Sequence, residues 1–358
     1  MPPWIQPPRI RLGASTTCQL HCPLCPTTRG EVRKGIGTGF LKFEDFRGLV
    51  DENPWVLDIE LSTWGEPFLN PDLSAIVEYA HRKGVSLSAG NGSNFNDVPQ
   101  TVLEALVRCE FWSITCALDG ACQKTHSRYR AGGDFDRVIG NIRRLNSLKA
   151  ARGTPFPLLK WQFVALGDNE GEIPAARELA RELGMEFFVK LSWEPGAEGR
   201  AAAQAAGPVT VYDTDLILRR ICTQLWRQPQ INFDGRLLGC CSNFWADLGD
   251  AFTEGLVESL NGERIGYARR MLMGQAPPRA DIPCASCPTY REAAEGKARW
   301  ITPAETVWPG SFASAAFRGA SWLKTAHPGA FRRLRREAYF AWRRLRPSPS
   351  AIVRSDGR

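Results

Sequence analysis

The chain has 358 residues, 43% of them hydrophobic and 23% charged, which suits one large globular domain with a smaller companion. No apolar run approaches the roughly 20 residues needed to span a bilayer, and the opening "MPPWIQPPRIRLG" lacks the organisation of a signal peptide, so a cytoplasmic location is expected. The formal net charge of +7 is concentrated in residues 329–346, "GAFRRLRREAYFAWRRLR", where seven arginines stand against Glu337 and leave the rest of the chain nearly neutral.

From residue 9 to about 195, short β-rich runs alternate with amphipathic helical patterns. The strand candidates are 9–13, 56–63, 85–90, 111–118, 158–166 and 186–192. Between them, 72–84, 135–153 and 172–184 show helical periodicity and close on Gly84, Gly153 and Gly184. Six βα repeats predict an α/β fold, a partial (β/α)6 TIM-like barrel over 1–193 with its functional residues at the carboxyl ends of the strands. A small-residue linker at 194–209 bounds it. Beyond lie a small α+β domain at 210–300, where "PQINFDGRLLGCC" reads as a hairpin with a two-residue turn at Asp234-Gly235, and a basic extension at 301–358.

Eleven cysteines in a reducing compartment point to metal ligands or buried thiols rather than disulfides. Cys18, Cys22 and Cys25 follow the first strand candidate, at the rim where a barrel carries its chemistry. Three thiolates on one short loop can ligate three irons of a [4Fe–4S] cluster and leave the fourth iron open. A zinc site completed by His21 or a distant ligand, or three unligated thiols, are the plainer readings.

C-x3-C-x2-C followed by a Gly-Glu-Pro segment resembles the radical S-adenosylmethionine enzymes. The resemblance covers residues 9 to about 292. It implies that the open iron binds the amino and carboxylate groups of S-adenosyl-L-methionine, whose reductive cleavage generates a 5′-deoxyadenosyl radical that abstracts a substrate hydrogen. The protein positions that cofactor chemistry and excludes water. It also implies cofactor-binding roles for Gly65, Glu66 and Pro67, the counterpart of a G-G-E-P segment that holds the methionyl ammonium, with Trp64 in place of the first glycine. Asn91 and Gly92, which on their own read as a turn, would approach the ribose. Arg130, four residues after His126, would contact the carboxylate, while the family's serine position is Ala117.

Cys222, Cys240, Cys284 and Cys287 form a second set, able to close a cubane completely or to hold a structural zinc. This region resembles the short SPASM/twitch extension, which implies a second, auxiliary [4Fe–4S] cluster. Cys241, next to Cys240, points the other way if both lie on a strand. Cys109, Cys116 and Cys122 have no spacing partner and read as buried small hydrophobes. In the tail, Phe331, Leu334, Ala338, Ala341 and Leu345 share one helix face among arginines, as in a helix packed on the enzyme or one that meets an anionic membrane surface or a partner protein. Without a recognisable binding fold, nucleic acid is not expected.

The resemblance implies a small-molecule substrate, a sugar or cyclitol alcohol oxidised through the auxiliary cluster, with a reductant such as flavodoxin or ferredoxin. Epimerisation, decarboxylation and peptide modification are alternatives within the superfamily. The few residues before the first strand candidate are expected to leave little room for a peptide-recognition domain. A two-cluster electron carrier is the alternative outside it.

Overall fold

The computed structural model describes residues 4–191, 221–306 and 315–345; the expected linker at 194–209 lies outside the described residues. All six strand candidates form: β1 (Arg9–Leu12), β2 (Asp58–Glu60), β3 (Ser86–Ser93), β4 (Ser113–Ala117), β5 (Leu158–Ala165) and β6 (Glu186–Leu191). They pair in chain order and all in parallel, as crossover helices require. A seventh strand, β7 (Gln230–Ile231), comes from beyond the linker and pairs in parallel with β1, setting Leu12 opposite Ile231. Among the described residues the sheet is therefore an open seven-stranded one with β6 and β7 at its edges.

The crossovers are α1 (Glu31–Ile36) and α2 (Phe43–Glu52) after β1, α3 (Leu73–Arg82) after β2, and α4 (Gln100–Arg108) after β3. Next come α5 (Gln123–Tyr129) and α6 (Phe135–Arg152) after β4, and α7 (Ile173–Glu182) after β5. Helical spacing sets Ile76, Val77 and Ala80 of α3, and Val138, Ile142 and Leu145 of α6, on stripes buried in the core. The Asp134 carboxylate caps α6 by accepting from the Arg137 N–H at 2.9 Å. On the strands, Ile10, Leu12, Ile59, Leu87 and Ile114 point into that core. The alternate residues Asp58, Glu60, Ser86, Ser88 and Lys160 line a polar cavity of about 710 Å³.

Three local expectations need correction. Asn91-Gly92 is not a turn past the end of a strand: β3 runs through both, with an irregular register between Ala89 and Ser93 that re-aims their side chains. The hairpin after β7 has a three-residue loop, Phe233-Asp234-Gly235. Asn232 N–H donates to Arg236 O at 2.9 Å across it, and Gly235 at φ 93° makes the bulge that closes it. Cys109 and Cys116 are buried as expected, but Cys122 is exposed, because the turn before α5 directs its thiol to Glu172 Oε1 at 3.5 Å.

Residues 315–345 of the tail form two helices, Ala315–Ala326 and Pro328–Leu345, the second lying against the amino-terminal ends of the strands. Arg335 pairs with Asp58 at 2.7 Å and donates to Ser86 Oγ at 2.9 Å, while Arg336 reaches Glu110 at 3.1 Å. Tyr339 meets Trp112 edge-on at 5.1 Å.

Candidate active site

The loop from β1 to α1 carries Cys18, Cys22 and Cys25 and is tied down by backbone bonds. Ala14 N–H donates to Leu61 O, Glu66 N–H to Thr17 O, and His21 N–H to Ala131 O. Cys25 N–H closes a turn on Cys22 O at 3.1 Å, folding the last two cysteines together. Gly65 lies against this loop so closely that a Cβ there would stand 2.6 Å from Thr17 O and 2.7 Å from Ser15 O, both backbone atoms that cannot yield. The fit explains why Gly65 precedes Glu66.

A cavity of about 350 Å³ opens at the carboxyl ends of the strands. Its walls include Cys18, Cys22, Cys25, Gly65, Glu66, Asn91, Gly92 and Arg130. Pro67 is the exception among the residues expected there: it is buried behind the wall and starts the short helical turn Pro67–Leu69. Burial pushes the Cys18 thiol up to about 12, with the Glu66 carboxylate adding to the effect. Cys22 is also raised by burial, which the Arg130 guanidinium partly offsets through its charge and a hydrogen bond. Thiols in this state hold their protons until a metal displaces them.

Glu66 is 2% exposed, and burial lifts its carboxyl to about 7 against the bond it accepts from Asn94 N–H at 2.6 Å. The Trp64 carbonyl beside it accepts from Thr27 Oγ1. Arg130 is held by the fully buried Asp119, Nε to Oδ2 at 2.6 Å. Asp119 Oδ1 in turn accepts from Val164 N–H at 2.8 Å. Arg130 is thus clamped on one side by Asp119, itself anchored to β5, and faces Cys22 on the other.

No protein-family model matches the chain. Among solved structures, Streptococcus suis SuiB bound to S-adenosylmethionine superposes with a TM-score of 0.59 at 13% identity, covering 80% of this chain and 71% of that one. SuiB bound to its precursor peptide SuiA gives 0.57 at 13% identity, over 80% and 70%. The fold is that of the radical S-adenosylmethionine enzymes.

On this radical S-adenosylmethionine fold the second cysteine set also converges. The β7 hairpin, held by Leu238 N–H and Gly239 N–H to Gln230 O, delivers Cys240, and a 3₁₀ turn at Pro283–Ser286 presents Cys284 and Cys287. Burial raises Cys240 well above its ordinary value, and the neighbouring thiols Cys222, Cys241, Cys284 and Cys287 raise it further. Burial, then Cys287, pushes Cys284 up to about 12. Among the described residues no three His, Cys, Asp or Glu side chains close on one point as they would around a single ion.

Four residues of the site were not legible in the sequence as site residues. Lys190, 5% exposed at the end of β6, lines the cavity, and burial followed by the Arg130 charge lowers it to about 7. Gln162 of β5 lies beside Gly92. Asn94 donates from Nδ2 to Cys18 Sγ at 3.5 Å. Asp119 orients Arg130 from behind. Asp119 stands in an Asp-Gly pair between β4 and α5 and Asn94 just past β3, while Lys190 and Gln162 sit in ordinary strand sequence. Cys240 and Cys241 lie in a bend and turn rather than on a strand; Cys241 lines the cavity and also neighbours Cys240.

Proposed function

We propose that the chain is a radical S-adenosylmethionine oxidoreductase. It takes a [4Fe–4S] cluster on Cys18, Cys22 and Cys25, binds S-adenosyl-L-methionine against Gly65, Glu66, Asn91, Gly92 and Arg130, and oxidises an alcohol of a sugar or cyclitol. The observation that carries this reading is one cavity, at the carboxyl ends of the strands, walled by three thiols, a buried carboxyl and a clamped guanidinium. Those donors fit the cofactor pair: thiols for iron, a carboxylate and backbone for an ammonium, an arginine for a carboxylate. When bound, the pair supplies hydrogen-atom abstraction. Auxiliary iron would be held by Cys222, Cys240, Cys284 and Cys287 and would supply the acceptor for the electron left on the substrate after hydrogen abstraction.

The chain's own residues have separable tasks. Arg130, kept in place by Asp119, orients a carboxylate beside Cys22. Glu66 gives up its proton when an ammonium arrives, because a nearby cation repays the cost of its buried charge. Lys190 Nζ, lowered to about 7, receives the proton that an alcohol must lose as it becomes a carbonyl. The walls keep water from the reacting carbon.

The test is anaerobic reconstitution with iron and sulfide, followed by reduction in the presence of S-adenosylmethionine. About eight irons per chain and 5′-deoxyadenosine are expected, the latter lost when Cys18, Cys22 and Cys25 are all replaced by Ala. Undiminished 5′-deoxyadenosine from that triple variant would refute the reading, and absent cleavage in the loaded wild type would return the chain to an electron carrier.

One observation favours a second reading. The Cys241 thiol lines the cavity, where it could return a hydrogen atom to a substrate carbon, as an epimerase requires. Deuterium entering a substrate carbon from solvent, abolished by Cys241→Ala, would decide for it. SuiB was solved with a precursor peptide bound, so peptide substrates belong in the same screen.

A further inference from the structure

The tail helix is mounted on the sheet domain by a different face from the one its apolar pattern suggests. Arg332, Arg335, Arg336, Tyr339, Phe340 and Arg343 contact the sheet domain. In the preceding helix, Lys324 Nζ donates to Val56 O at 2.7 Å. Phe331 is buried, but the rest of the expected stripe, Leu334, Ala338, Ala341 and Leu345, points outward. Six large apolar side chains stand exposed among the described residues, and four belong to these two helices: Trp322 (65%), Leu334 (50%), Trp342 (51%) and Leu345 (85%). Helical geometry puts Trp342 on one margin of the stripe and Arg333 and Arg344 on the other, both exposed.

We infer that this outward face docks the protein on an anionic lipid surface. Leu334 and Leu345 would enter the boundary between headgroups and acyl chains, with Trp342 and the two arginines at headgroup level. Charge selects the occupant. Of the eight lysines and arginines in residues 315–345, Lys324, Arg332, Arg335, Arg336 and Arg343 face inward, which leaves Arg318, Arg333 and Arg344 exposed against Glu337, a net positive charge that an anionic bilayer complements. A second copy packed on the same stripe would instead bring like-charged arginines together. The ion pairs on the inner face keep the helix from rolling to bury its stripe. Because the helix lies at the amino ends of the parallel strands, this docking turns the cavity at their carboxyl ends toward the aqueous side.

The full chain is tested by flotation with vesicles of phosphatidylcholine alone and of phosphatidylcholine mixed with phosphatidylglycerol. No iron or substrate is needed, so the outcome is independent of the catalytic reading. Binding is expected only to the mixed vesicles, weakening as salt is raised. Arg333→Glu and Arg344→Glu should each reduce it at least about fivefold, the worth of one basic residue near such a surface. The combined Leu334→Ser, Trp342→Ser and Leu345→Ser variant should abolish it with an unchanged melting temperature, since these side chains are outside the core. Equal binding to both vesicle types would overturn the proposal. So would absence from both, and so would self-association that the serine variant disrupts in place of vesicle binding.

Discussion

Arg130 Nε donates to Asp119 Oδ2 at 2.6 Å, joining a residue that borders the cavity to one that no solvent reaches. Asp119→Asn keeps an acceptor for Val164 N–H but leaves the guanidinium charge without its counter-ion. A loss of about 3 kcal/mol of stability is expected, as for other half-removed buried pairs, measured by urea unfolding. Arg130→Lys should fold better yet raise the KM for S-adenosylmethionine, because an ammonium cannot serve Asp119 and a ligand carboxylate with the same planar fork.

Glu66 carries a pH signature. Its carboxyl sits near 7 in the folded protein, above its ordinary value of 4.5, so the folded state holds that proton more tightly than the unfolded chain. Below about pH 4.5 both states are protonated and the group is neutral to stability. As pH rises toward 7 the unfolded chain ionises first, and stability falls. Glu66→Gln retains an acceptor for Asn94 N–H and removes that slope. Its melting temperature should match wild type near pH 4.5 and exceed it above pH 7. Parallel curves across this window would show that Glu66 is ionised throughout.

Lys190 runs in the opposite sense. Burial holds its ammonium near 7, below the ordinary 10.5, so the unfolded chain binds the proton more strongly and stability should climb between about pH 7 and 10.5. Lys190→Met should flatten that climb and stabilise the protein at pH 7 by on the order of 1–3 kcal/mol, as when a buried charge is exchanged for a packed apolar side chain. In the catalytic reading the same variant still yields 5′-deoxyadenosine but little oxidised product. Full product formation would remove Lys190 from the proton path.

The neighbouring thiols Cys240 and Cys241 should separate cleanly. Cys240→Ala is expected to lose about four irons per chain while 5′-deoxyadenosine formation continues. Cys241→Ala should keep its full iron content, because its side chain faces the barrel cavity. Iron analysis of the two reconstituted variants checks this, and equal iron loss in both would place Cys241 among the ligands.

Local chemistry in the sequence determined much of this protein. The β-rich runs and helical periodicities specified six strands and three of their helices, because burial of a period-2 or period-3.6 pattern is decided within a dozen residues. Three cysteines in eight residues are near one another in any fold, so their grouping was legible too. Tertiary structure decided what depends on distant partners. Asp119, Lys190 and Gln162 come from three different strand ends and meet only because parallel strands bring those ends to one mouth. The tail helix shows the limit most plainly. Its sequence groups Phe331, Leu334, Ala338, Ala341 and Leu345 on one face, open to packing on the enzyme or to an outside surface, and the sheet domain offers Asp58, Glu110 and Glu186 to the arginines beside them. An amphipathic pattern states which residues share a face, and only the charges on the opposing surface decide which face turns inward.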